Sequence, residues 1–145
     1  MVAGLAIPAW YARHDVTLDS AALLLARDLR ATQNRAAYLG ISAKVVVDSD
    51  GWRAFDGQGR PLSRTGGSER IERRFSIDGV FEGVRIERID LGPDDALAFG
   101  PMGQALEAGA VVLSFRGEQR ILHVFEKSGL VSIEGLQRDW VDDGR

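Results

Sequence analysis

The segment Ala98–Ala105, AFGPMGQA, decides how the second half of the chain is interpreted. It holds an aromatic residue, three further residues and a glycine, and the same pattern returns about 25 residues later in VFEKSGLVSI. Strand-like sequence lies on both sides of each copy. Because glycine adopts positive φ without steric cost and proline presets its own φ, both copies are typical of turns between antiparallel strands. A ligand-binding loop is the alternative interpretation.

The first part of the chain has the pattern of one long helix. Residues 9–39 contain neither proline nor glycine, and Gly40 stands where a helix C-terminus is expected. Ala, Leu and Arg, which dominate this stretch, are strong helix formers. The pattern predicts a helix over Asp15–Leu39. The apolar residues that can share one broad stripe at helical spacing are Val16, Ala22, Leu23, Leu25, Ala26, Leu29, Ala36 and Ala37.

After Gly40 the sequence consists of short strand-like runs. The segment AKVVVDSDGWRAFD, residues 43–56, predicts a hairpin that turns at Ser49–Gly51 and places Trp52 on its core face. Further runs are RIERRFSI, VRIERIDL, ALAF, AVVLSF, RILHVF and LVSI. One helix followed by about eight short strands predicts an α+β protein whose helix packs on one or two antiparallel sheets. The glycine-rich segment between the hairpin and RIERRFSI predicts an exposed, mobile loop.

The size and composition of the chain point to one folded unit. It has 145 residues, 45% of them hydrophobic, a formal net charge of −3 and no cysteine, which excludes disulfides and cysteine-ligated metals. The opening MVAGLAIPAW is apolar but shorter than the ~20 residues needed to span a bilayer. We expect residues 1–14 to be the remnant of an N-terminal hydrophobic helix whose beginning is missing. Residues 15–145 are expected to form a single globular domain.

The residue types that carry chemistry show no pattern typical of a catalytic, cofactor or metal site. His14 and His123 have no second ligand at metal-binding spacing, and the Gly-rich loop opens no helix that could hold a phosphate. The acidic pairs Asp48/Asp50, Asp94/Asp95 and Asp142/Asp143 fall in turns or near the C-terminus, where we expect ordinary pKa values; a weak Ca²⁺ site stays an alternative. The prediction is that no catalytic residue, metal ligand or cofactor site is present.

Arginine is the main cation, and two segments are rich in it. RIERRF and RGEQR each carry glutamate beside arginine. On neighbouring strands, interleaved Arg and Glu are typical of a solvated cross-strand ladder. We therefore expect these segments to face solvent, and we do not expect nucleic acid as a partner.

The order of the segments resembles that of a known family. The chain has AIPAW, then ALLLARDLRATQNRAAYLGI running directly into AKVVVDSDGWRAF, and later LAFGPMGQA, AVVLSF, RILHVF and EKSGLVSI. From Leu5 to Ile133 this resembles the H-type minor pseudopilins of type II secretion systems, the GspH and FimT-like family. The resemblance implies a pilin-like fold. The family's leader peptide, its cleavage and methylation site and its assembly glutamate have no counterpart in this chain.

The resemblance also implies a function without enzymatic activity. Such a protein is a pseudopilus subunit that acts in protein export by filament assembly. It implies a single-pass inner-membrane protein of a Gram-negative bacterium, with the head in the periplasm, no cofactor, and other minor and major pseudopilins and secreted cargo as partners. Contact candidates are the loop Gly57–Ser68, Trp10 and Tyr11, and Trp140 in the tail. Trp10 and Tyr11 either lie at the membrane interface or pack against the head, and Trp140 either packs on the sheet or meets a partner.

Two other functions stay open at this point. The first is a FimT-like type IV pilus minor pilin, a class that includes the branch resembling DNA-uptake pilins. The acidic residues Asp139, Asp142 and Asp143 argue against a basic DNA-binding strip near the C-terminus. The second, from another class, is an enzyme on a β-rich scaffold, which requires a deep cleft with convergent acids or histidines.

Overall fold

The described part of the chain folds as one long helix followed by eight strands. The computed structural model describes residues 3–135, with side-chain surroundings described for residues 17–135. In chain order the elements are α1 Ala3–Leu39, β1 Ala43–Asp48, β2 Gly51–Asp56, β3 Glu72–Arg74, β4 Arg85–Asp90, β5 Ala96–Phe99, β6 Gly109–Phe115, β7 Glu118–Val124 and β8 Val131–Glu134, with short 3₁₀ turns at Phe75–Ile77, Gly79–Phe81 and Pro93–Asp95. The predicted α+β class is confirmed. The helix ends at Leu39 as predicted but begins earlier than Asp15.

The strands form two antiparallel sheets that share the helix as their cover. The first sheet has the order β3-β2-β1-β5 and the second the order β4-β6-β7-β8. The predicted hairpin is β1 and β2, with Asp48 paired to Gly51 at its turn. The helix contacts strands of both sheets, so its orientation decides which of its side chains remain on the surface.

The buried stripe of the helix is narrower than the sequence predicted. Its members are Leu18, Ala21, Ala22, Leu25, Leu29, Thr32 and Ala36. Leu23 and Ala37, which were assigned to the apolar stripe, are exposed. The prediction was wrong there because the apolar residues of this helix extend over more of its circumference than two sheets can cover. Trp52 is buried as predicted, with its ring 5.6 Å from that of Phe75 in an edge-to-face arrangement.

A buried carboxylate attaches the helix to the first sheet. Asp28 is 0% exposed, and its Oδ2 accepts a 2.8 Å hydrogen bond from the indole Nε1 of Trp52. Arg64 donates from Nη1 to Oδ1 at 2.8 Å, and this ion pair raises the pKa of Arg64. A buried charge is tolerated when it is paired and hydrogen-bonded. Asp28 therefore connects the helix to the β1–β2 hairpin and to the segment that follows it.

A second carboxylate attaches the helix to the second sheet. Asp19 Oδ1 accepts a 2.6 Å hydrogen bond from Nε of Arg120 on β7. Asp19 and Asp28 are nine residues apart, which at 100° per residue places them on opposite sides of the helix. The expectation that RGEQR faces solvent is wrong for Arg120, whose side chain is 2% exposed because the Asp19 carboxylate stabilises its charge beneath the helix.

RIERRF also departs from the predicted ladder. Arg73 pairs with Asp78 and Arg74 with Asp48, and both guanidinium groups are largely buried. Each arginine pairs with a nearby aspartate rather than with a glutamate on the facing strand. Asp78 lies between the two 3₁₀ turns that follow β3, and Asp48 ends β1 beside β3 because Gly51 of the hairpin pairs with Arg74. The segment therefore stabilises the turns around the first sheet.

The glycine-rich segment after β2 is attached to the sheet. Leu62 is buried. Its N–H donates to Ala54 O on β2 at 3.0 Å, and its O accepts from the N–H of Ile71, the residue before β3, at 2.9 Å. With the Arg64–Asp28 ion pair, these bonds fix the middle of the loop, so its predicted mobility is not supported there. Residues 57–61 and 65–70 are exposed on either side.

The part of the chain that the structure describes contains no helix that is both long enough and apolar enough to cross a membrane.

The Asp28 interaction can be tested by removing the carboxylate. We expect Asp28→Ala to lower the free energy of unfolding by about 3 kcal/mol, because it leaves the Trp52 N–H and the Arg64 guanidinium without their acceptor. Glu69→Ala is the matched control, since Glu69 also pairs with Arg64 but is mostly exposed, and it is expected to cost less than about 1 kcal/mol. Urea unfolding followed by circular dichroism measures both. Equal costs for the two variants would contradict the assignment.

Candidate functional site

The two glycine segments singled out in the sequence lie side by side in the fold. Gly103 N–H donates to Gly100 O at 2.8 Å, and Gly100 N–H donates to Gln104 O at 2.9 Å, which closes the first turn after β5. The second turn joins β7 to β8. Ala105 and Lys127 exchange backbone hydrogen bonds of 3.1 and 2.8 Å, so the two turns connect the two sheets. The interpretation as turns is confirmed.

A single helix side chain holds both turns. The Nε2 amide of Gln33 donates to Gly103 O and to Ser128 O, each at 2.8 Å. One carboxamide has two N–H donors and can satisfy two carbonyl groups at once. Sequence reasoning missed this role, because Gln33 stands beside Asn34 in a polar run and no local pattern distinguishes the two residues.

The contact with the helix explains why each of the two turns contains a glycine. Gly103 and Gly129 have φ of +83° and +70°, a region that glycine adopts most easily. A Cβ at Gly129 would lie 2.4 Å from Gln33 Nε2, and one at Gly103 would lie 3.0 Å from the Ala37 Cβ. Both turns therefore need glycine for the backbone conformation and for close approach to the helix.

The helix and the two turns form a shallow groove at the C-terminal end of α1, which we call the turn groove. Its lining residues are Arg30, Gln33, Asn34, Ala37, Met102, Gly103, Ser128 and Leu130. Met102 is 84% and Leu130 55% exposed, although both are large apolar side chains. Arg30 is the charged residue of the lining. The groove has apolar side chains on its turn side and a cation on its helix side.

Exposed apolar side chains concentrate at this end of the molecule. Within residues 17–135, six large exposed hydrophobic residues belong to the two turns, to the segments next to them or to the end of α1. They are Tyr38, Leu39, Met102, Leu106, Phe125 and Leu130. Ile77 and Val80, in the 3₁₀ turns after β3, form a separate exposed pair. Clustered apolar exposure is typical of a surface that binds another protein.

The candidate chemical residues do not come together in a site. His123 is near the strand surface, as predicted, with Nε2 2.9 Å from the Glu134 carboxylate. Asp94 and Asp95 occupy an exposed turn with φ of +62° and +55°. Within the described part of the chain, no group of three or more histidine and acidic side chains could hold a metal ion.

Several residues named from the sequence lie outside the described side chains. These are His14, Trp10, Tyr11, Trp140, Asp139, Asp142 and Asp143. Their predicted roles stay predictions.

Asp48 departs from the ordinary pKa expected of turn carboxylates. Burial raises its pKa, but two hydrogen bonds from Arg74 Nη1, at 2.7 and 2.6 Å, and one from the Asp50 N–H outweigh that effect. The pKa of Asp48 therefore lies below its usual value of 3.8. The carboxylate stays ionised and stabilises the β1–β2 turn against β3.

Comparison with known proteins identifies the fold. The crystal structure of the type IV minor pilin FimU from Pseudomonas aeruginosa strain PAO1 resembles this chain with a TM-score of 0.54 and 14% sequence identity, covering 81% of this chain and 87% of that chain. No family model and no curated protein matches the chain. The protein therefore has a pilin-like fold, as the resemblance implied, and the likeness concerns the fold alone.

The contact between helix and turns can be tested at Gln33. We expect Gln33→Ala to lower the free energy of unfolding by about 1 kcal/mol, because two carbonyl groups lose their donor. Amide hydrogen exchange is expected to rise in residues 100–106 and 125–130 more than elsewhere. Asn34→Ala, which removes an exposed neighbouring amide, is the control and is expected to change neither quantity. Unchanged exchange in both turns of the Gln33 variant would contradict the assigned role.

The lowered pKa of Asp48 predicts a pH effect. Because the folded-state pKa is depressed, the stabilisation by Asp48 is fully present above the ordinary pKa and is lost as pH falls below about 4. We expect Asp48→Asn to flatten the decline of unfolding free energy between about pH 5 and about pH 2. In an Arg74→Gln background the same substitution should change the slope less. The measurement is the unfolding free energy at a series of pH values. Equal slopes of this free energy against pH for the wild type and Asp48→Asn would refute the prediction.

Proposed function

We propose that this protein is a minor subunit of a pilin-like filament, a minor pseudopilin of a type II secretion system, and that it works by docking rather than by catalysis. The pilin-like fold supports the filament role. The observation that carries docking is the pair of exposed apolar side chains, Met102 and Leu130, that line the turn groove on the two turns to which Gln33 donates hydrogen bonds. A fixed surface of this kind can bind a partner without first being ordered.

The helix gives the proposal its second part. Described contacts with the sheets include Leu18, Asp19, Asp28 and Gln33, so residues from 18 onward seat the helix on the head. We propose that residues 1–14 belong to a hydrophobic helix that anchors the protein in the inner membrane before assembly. The head, residues 15–145, is then a single periplasmic domain. In the filament the same helix packs against neighbouring subunits.

In this proposal the partners are other minor and major pseudopilins and secreted cargo. The outward end of the head presents the turn groove, and the apolar side chains of Met102 and Leu130 are available to a neighbouring protein. Burying an exposed side chain of this size is worth about 1.5–3 kcal/mol. A few such residues at the centre of an interface are enough to direct assembly.

A type IV pilus minor pilin is the second candidate, because the structural neighbour FimU is described as a type IV minor pilin. A DNA-uptake role within that class needs a basic strip, and the chain as a whole has a net charge of −3. The enzyme alternative requires a deep cleft with convergent acids or histidines, and the turn groove is shallow with one charged lining residue.

A gene deletion in the native host, complemented with the full-length protein, tests the proposal. We expect the deletion to reduce secreted enzyme in the medium and complementation to restore it. Met102→Asp combined with Leu130→Asp is expected to fold, since both side chains are exposed, yet to fail in complementation because the groove can no longer bury them. Ile77→Asp with Val80→Asp is the matched control on the separate exposed pair and is expected to restore secretion.

The outcomes separate the candidates. If the deletion strain secretes normally but loses pili, twitching or DNA uptake, the type IV pilus role would be assigned instead of the secretion role. Full complementation by the Met102/Leu130 variant would show that the turn groove is not the docking surface.

A further inference from the structure

The outward side of the helix has an unusual charge distribution. Leu23, Arg27, Arg30, Asn34 and Tyr38 are all exposed and follow one another at spacings of three and four residues, which places them on one side of the helix. We call these five residues the helix face. Tyr38, at 82% exposure, and Leu23 supply apolar surface on either side of the two arginines.

The acids of the helix do not contribute to this face. Between residues 17 and 39 the acids are Asp19 and Asp28, and both turn inward to Arg120, Arg64 and Trp52. Arg30 forms no ion pair with any residue in the range 17–135. Arg27 lies 3.5 Å from an Asp28 oxygen that Arg64 already occupies at 2.8 Å. The helix face is therefore basic because the fold itself uses the acids that would have neutralised it.

A surface of opposite charge lies at the end of β4 and in the connections on either side of β5. Its exposed carboxylates, which we call the acidic connection, are Asp90, Asp94, Asp95 and Glu107. Glu107 lies against Gly92, where an added Cβ would be 2.8 Å from Oε2, so the two connections touch. None of the four forms an ion pair with a cation among the described residues. Leu106, beside Glu107, adds an exposed apolar side chain.

We propose that the helix face of one molecule docks on the acidic connection of a second copy of this chain. The two surfaces have opposite charge and each carries apolar side chains. Among the described residues, Arg30 and the four carboxylates form no ion pair, and Arg27 has only the 3.5 Å contact with Asp28. Opposite potentials steer two such surfaces together and select their register. Arginine and tyrosine are the residue types enriched where interfaces gain most of their binding energy.

The geometry of this contact is head to tail. Because the helix face and the acidic connection consist of different residues, binding uses one surface of each copy and leaves the other surface free. Such a heterologous contact continues from copy to copy unless rotation closes it into a ring. The inference goes beyond the proposed function, which needs docking to other subunits but not to a second copy.

Charge reversal in the purified 145-residue chain tests the proposal. We expect sedimentation equilibrium to show self-association at about 0.02 M salt that weakens at least about tenfold at about 0.5 M salt, because screening shortens the range of the attraction. The helix variant is Arg27→Glu with Arg30→Glu, and the acid variant is Asp90→Arg with Glu107→Arg. Asp94 and Asp95 are left unchanged because their positive φ makes substitution costly. Each variant alone is expected to be monomeric.

Mixing supplies the decisive measurement. In an equal mixture each reversed surface meets a complementary one, so association is expected to return. Arg53→Glu with Arg70→Glu, two exposed arginines outside the helix, makes the same change in net charge and is expected to associate like wild type. Circular dichroism confirms that every variant is folded.

Other outcomes overturn the proposal. A wild type that stays monomeric at low salt would overturn the proposed self-association. It would leave the proposed docking to other filament subunits intact, so the two proposals can fail separately. Association that survives in the helix variant, or that does not return in the mixture, would show that these surfaces do not pair. Salt-sensitive binding of duplex DNA by the wild type, lost in the helix variant and without self-association, would assign the helix face to nucleic acid.

Discussion

The rest of the structure depends on one buried carboxylate. Asp28 has no contact with solvent, and it accepts hydrogen bonds from the Trp52 indole and the Arg64 guanidinium. A buried charge is stable only in the arrangement that supplies its partners. The helix is therefore held in one rotation about its axis. The Asp19–Arg120 pair on the opposite side of the helix forms in that same rotation. Which helix residues are buried and which are exposed follows from these two contacts.

The turn groove is a consequence of that rotation. With Asp28 against the first sheet and Asp19 against the second, Gln33 comes to lie where the two glycine turns meet. Gly103 and Gly129 let the turns approach the helix closely, and the tips that carry Met102 and Leu130 then project beyond the contact. The apolar tips are exposed because the turn backbone, not the turn side chains, is used to close the fold.

The parts of this fold that sequence could predict are those with local causes. The helix end at Gly40, the hairpin around Gly51 and the two glycine turns each depend on a few neighbouring residues. The polar contacts could not be predicted, because Asp28 and Arg64 are 36 residues apart and Asp19 and Arg120 are 101 apart. From sequence alone, a charged residue within a helix or strand is expected to face solvent. Arg120 was therefore placed on the surface, and the groove was not foreseen.

The same contacts connect the interior of the protein to its surface charge. A helix with two acids and three arginines between residues 17 and 39 is close to neutral as a sequence. Once both acids are turned inward to hold the sheets, the exposed side keeps Arg30 without an ion pair among the described residues and Arg27 with only a 3.5 Å contact to the shared Asp28 carboxylate. A carboxylate that stabilises the fold thus also determines what the surface can bind. Because the Asp28 carboxylate is buried against Trp52 and Arg64, the basic character of the helix face is retained for as long as the helix is seated in this way.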